Sequence, residues 1–233
     1  MKRIIRSILL ATVVCFAFLE QAQGMFPSTV DSYVTFGQYP QTSEGTDQTP
    51  IEWKVLARDG EKALLISRYA LDCKPYNKNN VNVTWEASTL RQWLNDEFLN
   101  KAFTPVEQAA IEITMTDNSR QQGNPEWGSD GGNNTQEKVF LLSYQEASKY
   151  FADGKARRCA PTDYTIKNGA YTNDGYKTNG ISACWWWLRS PGSSNFDVAG
   201  VNLVGDLSYI SGVDCGEITV RPALWVNLAS GIF

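Results

Sequence analysis

The residue types that most often carry catalysis and metal binding in proteins are sparse in this sequence. None of its 233 residues is a histidine, which excludes Ser-His-Asp and Cys-His nucleophile pairs, histidine general bases and every histidine-ligated zinc or iron site. Four acidic residues lie in the C-terminal part, Asp197, Asp206, Asp214 and Glu217, but their spacing does not match a calcium-binding loop. We therefore predict no catalytic residue, no metal site and no cofactor.

Cysteine is the remaining residue type that could supply a nucleophile or a cross-link. Cys73, Cys159, Cys184 and Cys215 allow three complete pairings, and the sequence does not distinguish them. No CxxC arrangement or histidine is present to activate a thiol. We therefore predict one structural disulfide or buried thiols, and no catalytic role.

Two aromatic motifs bracket a segment of different composition near the C-terminus. WWWLRSPG occupies 185–192 and VRPALW occupies 220–225, and between them residues 193–219 mix small, polar, acidic and aromatic residues. We call residues 193–219 the bracketed segment. Its composition suggests a surface whose side chains can change.

The two motifs themselves are predicted to be scaffold. Adjacent residues of a strand point to opposite faces, so the three tryptophans Trp185, Trp186 and Trp187 cannot all face the same way. At least one should face the core and another an adjacent layer or groove, and Trp186 and Trp187 are assigned to the scaffold. Arg189 and Arg221 lie beside prolines in apolar surroundings, where a guanidinium group is suited to hold loop carbonyls or a carboxylate. Stacking of sugars on the tryptophans is the alternative.

The N-terminus has the pattern of an export signal. Three basic residues within the first six precede an apolar stretch over 7–19, and AQG at 22–24 places small residues at both cleavage-determining positions. We predict a signal peptide over 1–24 and a single mature domain over 25–233. Export would place the later cysteines in an oxidising compartment.

Cys15 offers an alternative to that cleavage. A cysteine after a hydrophobic run can become the lipidated first residue of a bacterial lipoprotein, although Val14 is bulky where that cleavage prefers a small residue. The predicted localisation is the bacterial cell surface or outer membrane, with membrane contact only through such a lipid anchor. The formal net charge of −4 makes nucleic acid an unsuitable partner.

Hydrophobic periodicity predicts an α+β fold. Strands are predicted at 33–36, 51–57 and 63–66, and Asp59-Gly60 between the last two indicates a hairpin turn. Apolar residues then recur at helical spacing after Ser88, and capping boxes start further helices at Thr104 and Ser143.

Long loops are predicted around these elements. Residues 118–136 are rich in Gly, Asn, Ser and Asp, and 155–182 are similarly irregular. The helix that begins at Ser143 is predicted to stop at Gly154.

Five short motifs carry a resemblance to a known family. They are FGQYPQ at 36–41, IEWKVL at 51–56, TLRQWLN at 89–95, WLRSPG at 187–192 and VRPAL at 220–224. In this order and spacing, over residues 33–228, they resemble the variable proteins of diversity-generating retroelements, most closely those of Treponema.

The resemblance implies a C-type lectin fold of the formylglycine-generating-enzyme type, with small twisted antiparallel sheets, two main helices and long loops. It further implies that reverse transcription rewrites adenines in the coding sequence of a variable region at about 185–225. Asn codons altered in this way cannot yield Trp, Lys, Gln, Met or Glu, and the bracketed segment contains no Trp, Lys, Gln or Met. Glu217 departs from the rule.

Residues of the bracketed segment divide into skeleton and display. Ala199, Val201, Gly205 and Leu207 fit core or turn positions. The candidates for ligand-binding display are Ser193, Ser194, Asn195, Phe196, Asp197, Asn202, Val204, Asp206, Ser208, Tyr209, Ile210, Ser211, Asp214 and Thr219.

The sequence therefore predicts a non-enzymatic surface receptor that binds an external ligand, a protein on a host or another cell. The alternative is an exported carbohydrate-binding module, or an enzyme related to formylglycine-generating enzymes. Their catalytic cysteine pair is not recognisable in this sequence.

Overall fold

The computed structural model describes residues 29–232. The predicted signal peptide and Cys15 lie outside these residues, so export and lipidation stay predictions. The strands are β1 (Tyr33–Tyr39), β2 (Thr49–Asp59), β3 (Lys62–Ser67), β4 (Asp72–Cys73), β5 (Thr114–Thr116), β6 (Thr135–Glu137), β7 (Thr172–Thr178), β8 (Ile181–Cys184), β9 (Trp186–Pro191), β10 (Asp197–Val201), β11 (Leu207–Ser211), β12 (Thr219–Val220) and β13 (Ala223–Asn227). The α-helices are α1 (Thr89–Trp93), α2 (Leu99–Ala102), α3 (Pro105–Ala110), α4 (Tyr144–Tyr150), α5 (Gly154–Arg157) and α6 (Asp163–Lys167).

The first sheet is antiparallel, in the order β1-β2-β3-β13. The predicted hairpin of β2 and β3 is confirmed, and Gly60 takes a positive φ of 56° in its turn, a conformation that glycine adopts without steric cost. Trp53 on β2 is fully buried, and its indole Nε1 donates to the Phe36 carbonyl at 2.6 Å. The sheet therefore carries one side of the core.

A continuous helical stretch follows, because a π-helical turn (Leu94–Phe98) joins α1 to α2. Of Ser88 and Thr89, either of which could cap this helix from the sequence, Ser88 is the cap, accepting from the Arg91 main-chain N–H at 3.2 Å. Leu90, Leu94 and Phe98 recur every four residues and are all buried, which gives the helix one apolar face.

The second sheet has five strands, in the order β11-β10-β9-β12-β4. Trp186 and Trp187 on β9 are both fully buried on opposite faces. The Trp186 ring lies 6.3 Å from the Phe151 ring, and the Trp187 ring lies 5.9 Å from the Tyr76 ring. The prediction that the tryptophans do not all face the same way is confirmed.

These two sheets, the two-stranded sheets β5-β6 and β7-β8, the helices and the long connections confirm the α+β class. Both capping boxes are present, at Thr104 before α3 and at Ser143 before α4. The predicted stop at Gly154 is wrong, because α4 ends at Tyr150 and Gly154 is the first residue of α5, which Asp153 caps.

Candidate functional site

The bracketed segment forms the exposed edge of the second sheet. Strand β10 lies between β9 and β11, and β11 is the edge strand. Asp197 is opposite Ser211 and Val201 is opposite Leu207, so β10, β11 and their turn make one hairpin. The loop from β9 to β10 and the chain after β11 lie together at the open end of this hairpin.

Donors outside the bracketed segment hold its main chain in place. Each donates to a main-chain carbonyl of the segment: Val83 N to Asn195 (3.1 Å), Asn77 N to Val213 (2.8 Å), Lys74 N to Ile218 (3.3 Å), Tyr171 N to Glu217 (3.1 Å), Arg158 Nε to Val204 (3.1 Å) and Arg157 Nε to Gly205 (2.8 Å). Because every residue type offers the same carbonyl, these bonds do not depend on the side chains that the segment carries.

Asp197 organises the loop between β9 and β10. Its Oδ2 accepts from the hydroxyls of Ser193 and Ser194, both at 2.9 Å. Phe196 follows these serines with 46% of its surface exposed. It borders an open depression of about 410 Å³ that Asn80 also lines.

The turn between β10 and β11 is built on Asn202 and Gly205. The Asn202 Oδ1 accepts from the main-chain N–H of Val204 at 3.0 Å and of Asp206 at 2.9 Å, so Asn202 shapes the turn. Gly205 has a φ of +91°, and a Cβ on it would lie 1.7 Å from the Gly154 carbonyl oxygen. Glycine is therefore required there, as the sequence predicted for a turn position.

An aromatic row supports the middle of β11. The ring of Tyr209 is 46% exposed and stands edge-on against Trp127, with 5.7 Å between ring centroids. Trp127 in turn meets Tyr144 of α4 at 5.5 Å. Sequence reasoning missed Trp127, because it lies in a Gly- and Asn-rich stretch that predicts only a surface loop.

Two predicted display residues are buried, and the prediction is wrong for them. Ile210 is 7% exposed and fills the space above Gly200, where an added Cβ would lie 2.3 Å from Ile210 Cδ1. Thr219 is 0% exposed, and its hydroxyl donates to the Trp185 carbonyl at 2.6 Å. Both belong to the scaffold. The side chain of Ser211 is not among the parts of the chain that the structure describes.

The remaining candidates, with the exception of Ser208, reach the surface in two groups. The first comprises Ser193, Ser194, Asn195, Phe196, Asp197, Tyr209 and Asp214, and the second comprises Asn202, Val204 and Asp206. Ser208 is in neither group, because it is half-buried and lies on the same face of β11 as Ile210. Asp197 and Tyr209 are neighbours, since a Cβ on Gly192 would touch the Cβ atoms of both, at 2.7 and 2.9 Å. The second group lies beyond the far end of β10, roughly 13 Å away at about 3.3 Å per residue.

The skeleton positions are placed as predicted. Ala199 and Val201 are fully buried, and Leu207 packs against the core while partly buried. The main chain and these side chains are thus fixed, while the two surface groups stay accessible.

The exposure of Tyr209 on β11 and of Phe196 in the loop before β10 leads to a prediction about stability. We expect that Phe196→Ser combined with Tyr209→Ser changes the melting temperature by no more than about 4 °C, since the lost aromatic contact contributes about 1 kcal/mol. Ile210→Ser should instead destabilise the protein by about 2–5 kcal/mol, because it empties a buried site. Thermal and urea unfolding, followed by circular dichroism, measure both. An equal loss in the two variants would contradict the placement.

Comparison with known proteins identifies the family but not an activity. A family model described as "Domain of unknown function (DUF6273)" matches residues 60–228, which are 169 of the 233 residues. The chain belongs to this DUF6273 family. No curated protein and no solved structure matches it.

The family match includes both arginines that were predicted to be scaffold. In this DUF6273 domain the Arg189 side chain is buried and uses all five of its donors. It forms an ion pair with both carboxylate oxygens of Glu146, Oε1 at 3.0 Å, and donates to the Asn118 amide oxygen at 3.1 Å. Its other donors reach the carbonyls of Leu141 at 2.9 Å and Asp117 at 3.1 Å. Arg189 therefore ties α4 and the 118–136 loop to β9.

Arg221 has a similar role beside β12. Its Nε donates to the Ser67 carbonyl at 2.9 Å and its Nη1 to the Arg157 carbonyl at 3.3 Å. The guanidinium lies beside the rings of Phe151 and Trp186, at 5.4 and 5.0 Å from their centroids. Arg189 holds two loop carbonyls and a carboxylate, as predicted, whereas Arg221 holds carbonyls at the ends of β3 and α5.

The four cysteines of the described chain are free thiols. Cys73, Cys159 and Cys184 are buried, and Cys215 is half-buried in the bracketed segment. Of the two predicted alternatives, the structure has buried thiols. Burial and the neighbouring Asp72 raise the pKa of Cys73 to about 12, and burial raises the pKa of Cys184 well above its usual range.

These thiol environments predict selective alkylation. At pH 8 iodoacetamide should label Cys215 and leave Cys73 and Cys184 unmodified, because a buried, protonated thiol is a poor nucleophile. In urea all four cysteines of the described chain, Cys73, Cys159, Cys184 and Cys215, should react. Peptide mapping by mass spectrometry tests both statements, and denatured protein with fewer than four labelled cysteines would show a disulfide.

The described residues provide little for metal or membrane chemistry. Within 29–232 no group of three or more Cys, Asp or Glu side chains is placed to hold a metal ion. No helix in the same range is long and apolar enough to cross a bilayer. Of the acidic residues of the bracketed segment, Asp197 begins β10, Asp206 lies in the turn after it, and Asp214 and Glu217 lie between β11 and β12.

Proposed function

We propose that this domain is an exported, non-enzymatic binding protein whose bracketed segment carries changeable side chains on a fixed main chain. The observation that supports this best is the set of bonds from outside residues to main-chain carbonyls of the segment. Such bonds keep the loop geometry while the side chains differ. A retroelement that rewrites codons of this segment would then alter the ligand without altering the fold.

The proposed fold is the C-type lectin fold of the formylglycine-generating-enzyme type. Supporting features are the small antiparallel sheet that joins β1 to β13 through β2 and β3, the helical stretch from Thr89 to Ala102, and the second sheet whose loops reach the surface. In this proposal the second sheet carries the binding face.

The proposed ligand is an external protein on a host or another cell. Exposed Phe196 and Tyr209 offer large contact areas at low entropic cost, and the neighbouring Ser193, Ser194 and Asn195 offer adaptable hydrogen bonds. Antibody paratopes use the same mixture of residues. Trp127 would extend this surface with a residue from outside the bracketed segment.

The observations do not favour the carbohydrate-binding alternative. Trp186 and Trp187 are fully buried, so neither indole face is open to a sugar ring. Arg189 and Arg221 are also buried and committed to protein carbonyls and a carboxylate.

The genome of the source organism tests the diversification directly. We expect a reverse-transcriptase gene and a near-copy of the coding sequence for residues 185–225, with differences confined to adenines of the copy. These adenines should fall in the codons of the two surface groups and spare those of Ile210 and Thr219. A genome without such a copy would overturn the proposal that the segment is diversified.

A display library tests binding independently of the genome. Residues Ser193, Ser194, Asn195, Phe196 and Tyr209 would be randomised and the library selected against several unrelated proteins. We expect folded binders that differ in sequence for each target.

The control library randomises exposed residues elsewhere: Glu44, Thr46, Gln48, Glu61 and Lys167. It should yield binders rarely or not at all. Equal success of the two libraries would show that the bracketed segment is not a privileged binding surface.

A further inference from the structure

A small cavity with an entirely basic and neutral lining lies beside α5. Its volume is about 180 Å³, and its cationic residues are Lys54 of β2, Arg68 after β3, Lys155 and Arg158 at α5, and Arg221 after β12. No acidic residue lines it. It is separate from the two surface groups, although Arg158 also holds the Val204 carbonyl.

The charges around this cavity are not balanced by the protein. Lys54 pairs with Asp31 at 2.7 Å and Arg68 pairs with Glu52 at 3.0 Å. Five cations therefore face two carboxylates, which leaves an excess of three positive charges in a chain whose net charge is −4. Neighbouring like charges destabilise each other unless an anion lies between them.

One arginine of the cavity has a buried donor that the protein leaves without an acceptor. The Nε of Arg68 is buried and has no hydrogen-bond partner. Arg221, which is 4% exposed, uses Nε and Nη1 to hold two carbonyls. Buried donors are nearly always paired in proteins, so an unpaired one that borders a cavity points to a ligand atom.

Aromatic side chains hold these guanidinium groups in position. Arg68 lies 5.0 Å from the Tyr33 ring and 5.2 Å from the Tyr69 ring, and Arg221 contacts the rings of Phe151 and Trp186. The donors are therefore fixed before an anion arrives, which lowers the entropic cost of binding.

We propose that this cavity binds a tetrahedral oxyanion, a phosphate or sulfate group. Its volume is below the roughly 300–1,000 Å³ of sites for drug-sized ligands, so it suits one small group. The donors approach from β2, the end of β3, α5 and the residue after β12, and a tetrahedral anion offers acceptor oxygens in more directions than a planar carboxylate. Arginine is well suited to such oxygens because its donors form a rigid fork.

Isothermal titration calorimetry of the full chain with sodium phosphate and with sodium sulfate tests the proposal. Sodium chloride holds the ionic strength constant. We expect saturable binding to one site, with sodium acetate at least tenfold weaker. Glycerol 3-phosphate distinguishes the two sources of the anion: binding shows that the cavity accepts a phosphate ester, and rejection shows that it takes the free ion. Absence of saturable binding by both oxyanions, or acetate binding as tightly, would overturn the proposal.

Matched variants separate this site from general attraction of anions. Lys155→Gln should weaken binding about threefold, as expected for one exposed charge. Lys167→Gln makes the same charge change on an exposed residue away from the cavity and should have no effect. Equal losses in the two variants would show that net charge alone attracts the anion.

Arg68→Lys tests the geometry of the donors, because it keeps the charge and removes the fork. We expect binding about tenfold weaker, as a bidentate, charge-assisted contact is lost. Circular dichroism of each variant confirms folding. If Arg68→Lys does not fold, Lys155→Gln decides the question, since Lys155 is exposed. Unchanged affinity in both variants would exclude this cavity as the site.

Discussion

Replacing Arg189 with methionine should lower the free energy of unfolding by about 3–5 kcal/mol, because breaking a buried ion pair leaves its partner without compensation. The guanidinium is buried and bonded to Glu146, Asn118 and the carbonyls of Asp117 and Leu141. Methionine fills a similar volume but cannot donate to any of them. The Glu146 carboxylate, which also accepts from the Ser143 main-chain N–H at 2.8 Å, would lose its charged partner.

Urea unfolding measures this loss, and two further variants interpret it. Arg120→Met makes the same chemical change at an exposed position and should cost less than about 0.5 kcal/mol. Adding Glu146→Gln to Arg189→Met should recover part of the loss, since it removes the unpaired charge. A cost for Arg189→Met near that of Arg120→Met would show that this network contributes little to stability.

Local signals in the sequence predicted the elements that depend on neighbouring residues alone. Ser88, Thr104 and Ser143 each bond to main chain three residues further on, so a short window contains the whole cause of the helix start. The Asp59-Gly60 turn is similar. These predictions succeeded because no distant residue could override them.

The predicted loop over 155–182 shows where such reasoning fails. Thr162 caps the short helix α6, and β7 pairs with β8, yet the exposed residues of β7 show no apolar alternation. The helix is only five residues long, too short for a periodic pattern to appear. Its stability comes from tertiary contacts, such as the bond from the Thr165 hydroxyl to the Ala70 carbonyl at 2.9 Å.

Within the candidate site, residue type alone did not predict which side chains are exposed and which are buried. Ile210 and Thr219 resemble their displayed neighbours in sequence, and their burial follows from Gly200 on β10 and from Trp185, just before β9. Trp127 joins the surface through its contact with Tyr209. Because Tyr209 lies far away in sequence, nothing near residue 127 indicated this contact. The basic residues of the cavity lie at positions from 54 to 221 of the chain, so no short sequence motif could have indicated it.

Trp187→Ala should cost about 3–5 kcal/mol, the usual effect of emptying a fully buried aromatic site. Its indole contacts Tyr76 and donates to the Lys74 carbonyl at 2.9 Å, while its main chain lies opposite Gly200 of β10. The loss should therefore loosen the strand that carries the bracketed segment.

The matched control for this variant is Trp185→Ala, because Trp185 is the neighbouring tryptophan and is only partly buried. It should cost less than half as much in urea unfolding, and Trp187→Phe should fall between the wild type and Trp187→Ala. Hydrogen exchange adds a second readout: in Trp187→Ala the amide protons of β10 and β11 should exchange faster than those of β2 and β3. Uniform acceleration across both sheets would mean that Trp187 supports the whole core rather than the edge that presents the candidate binding face.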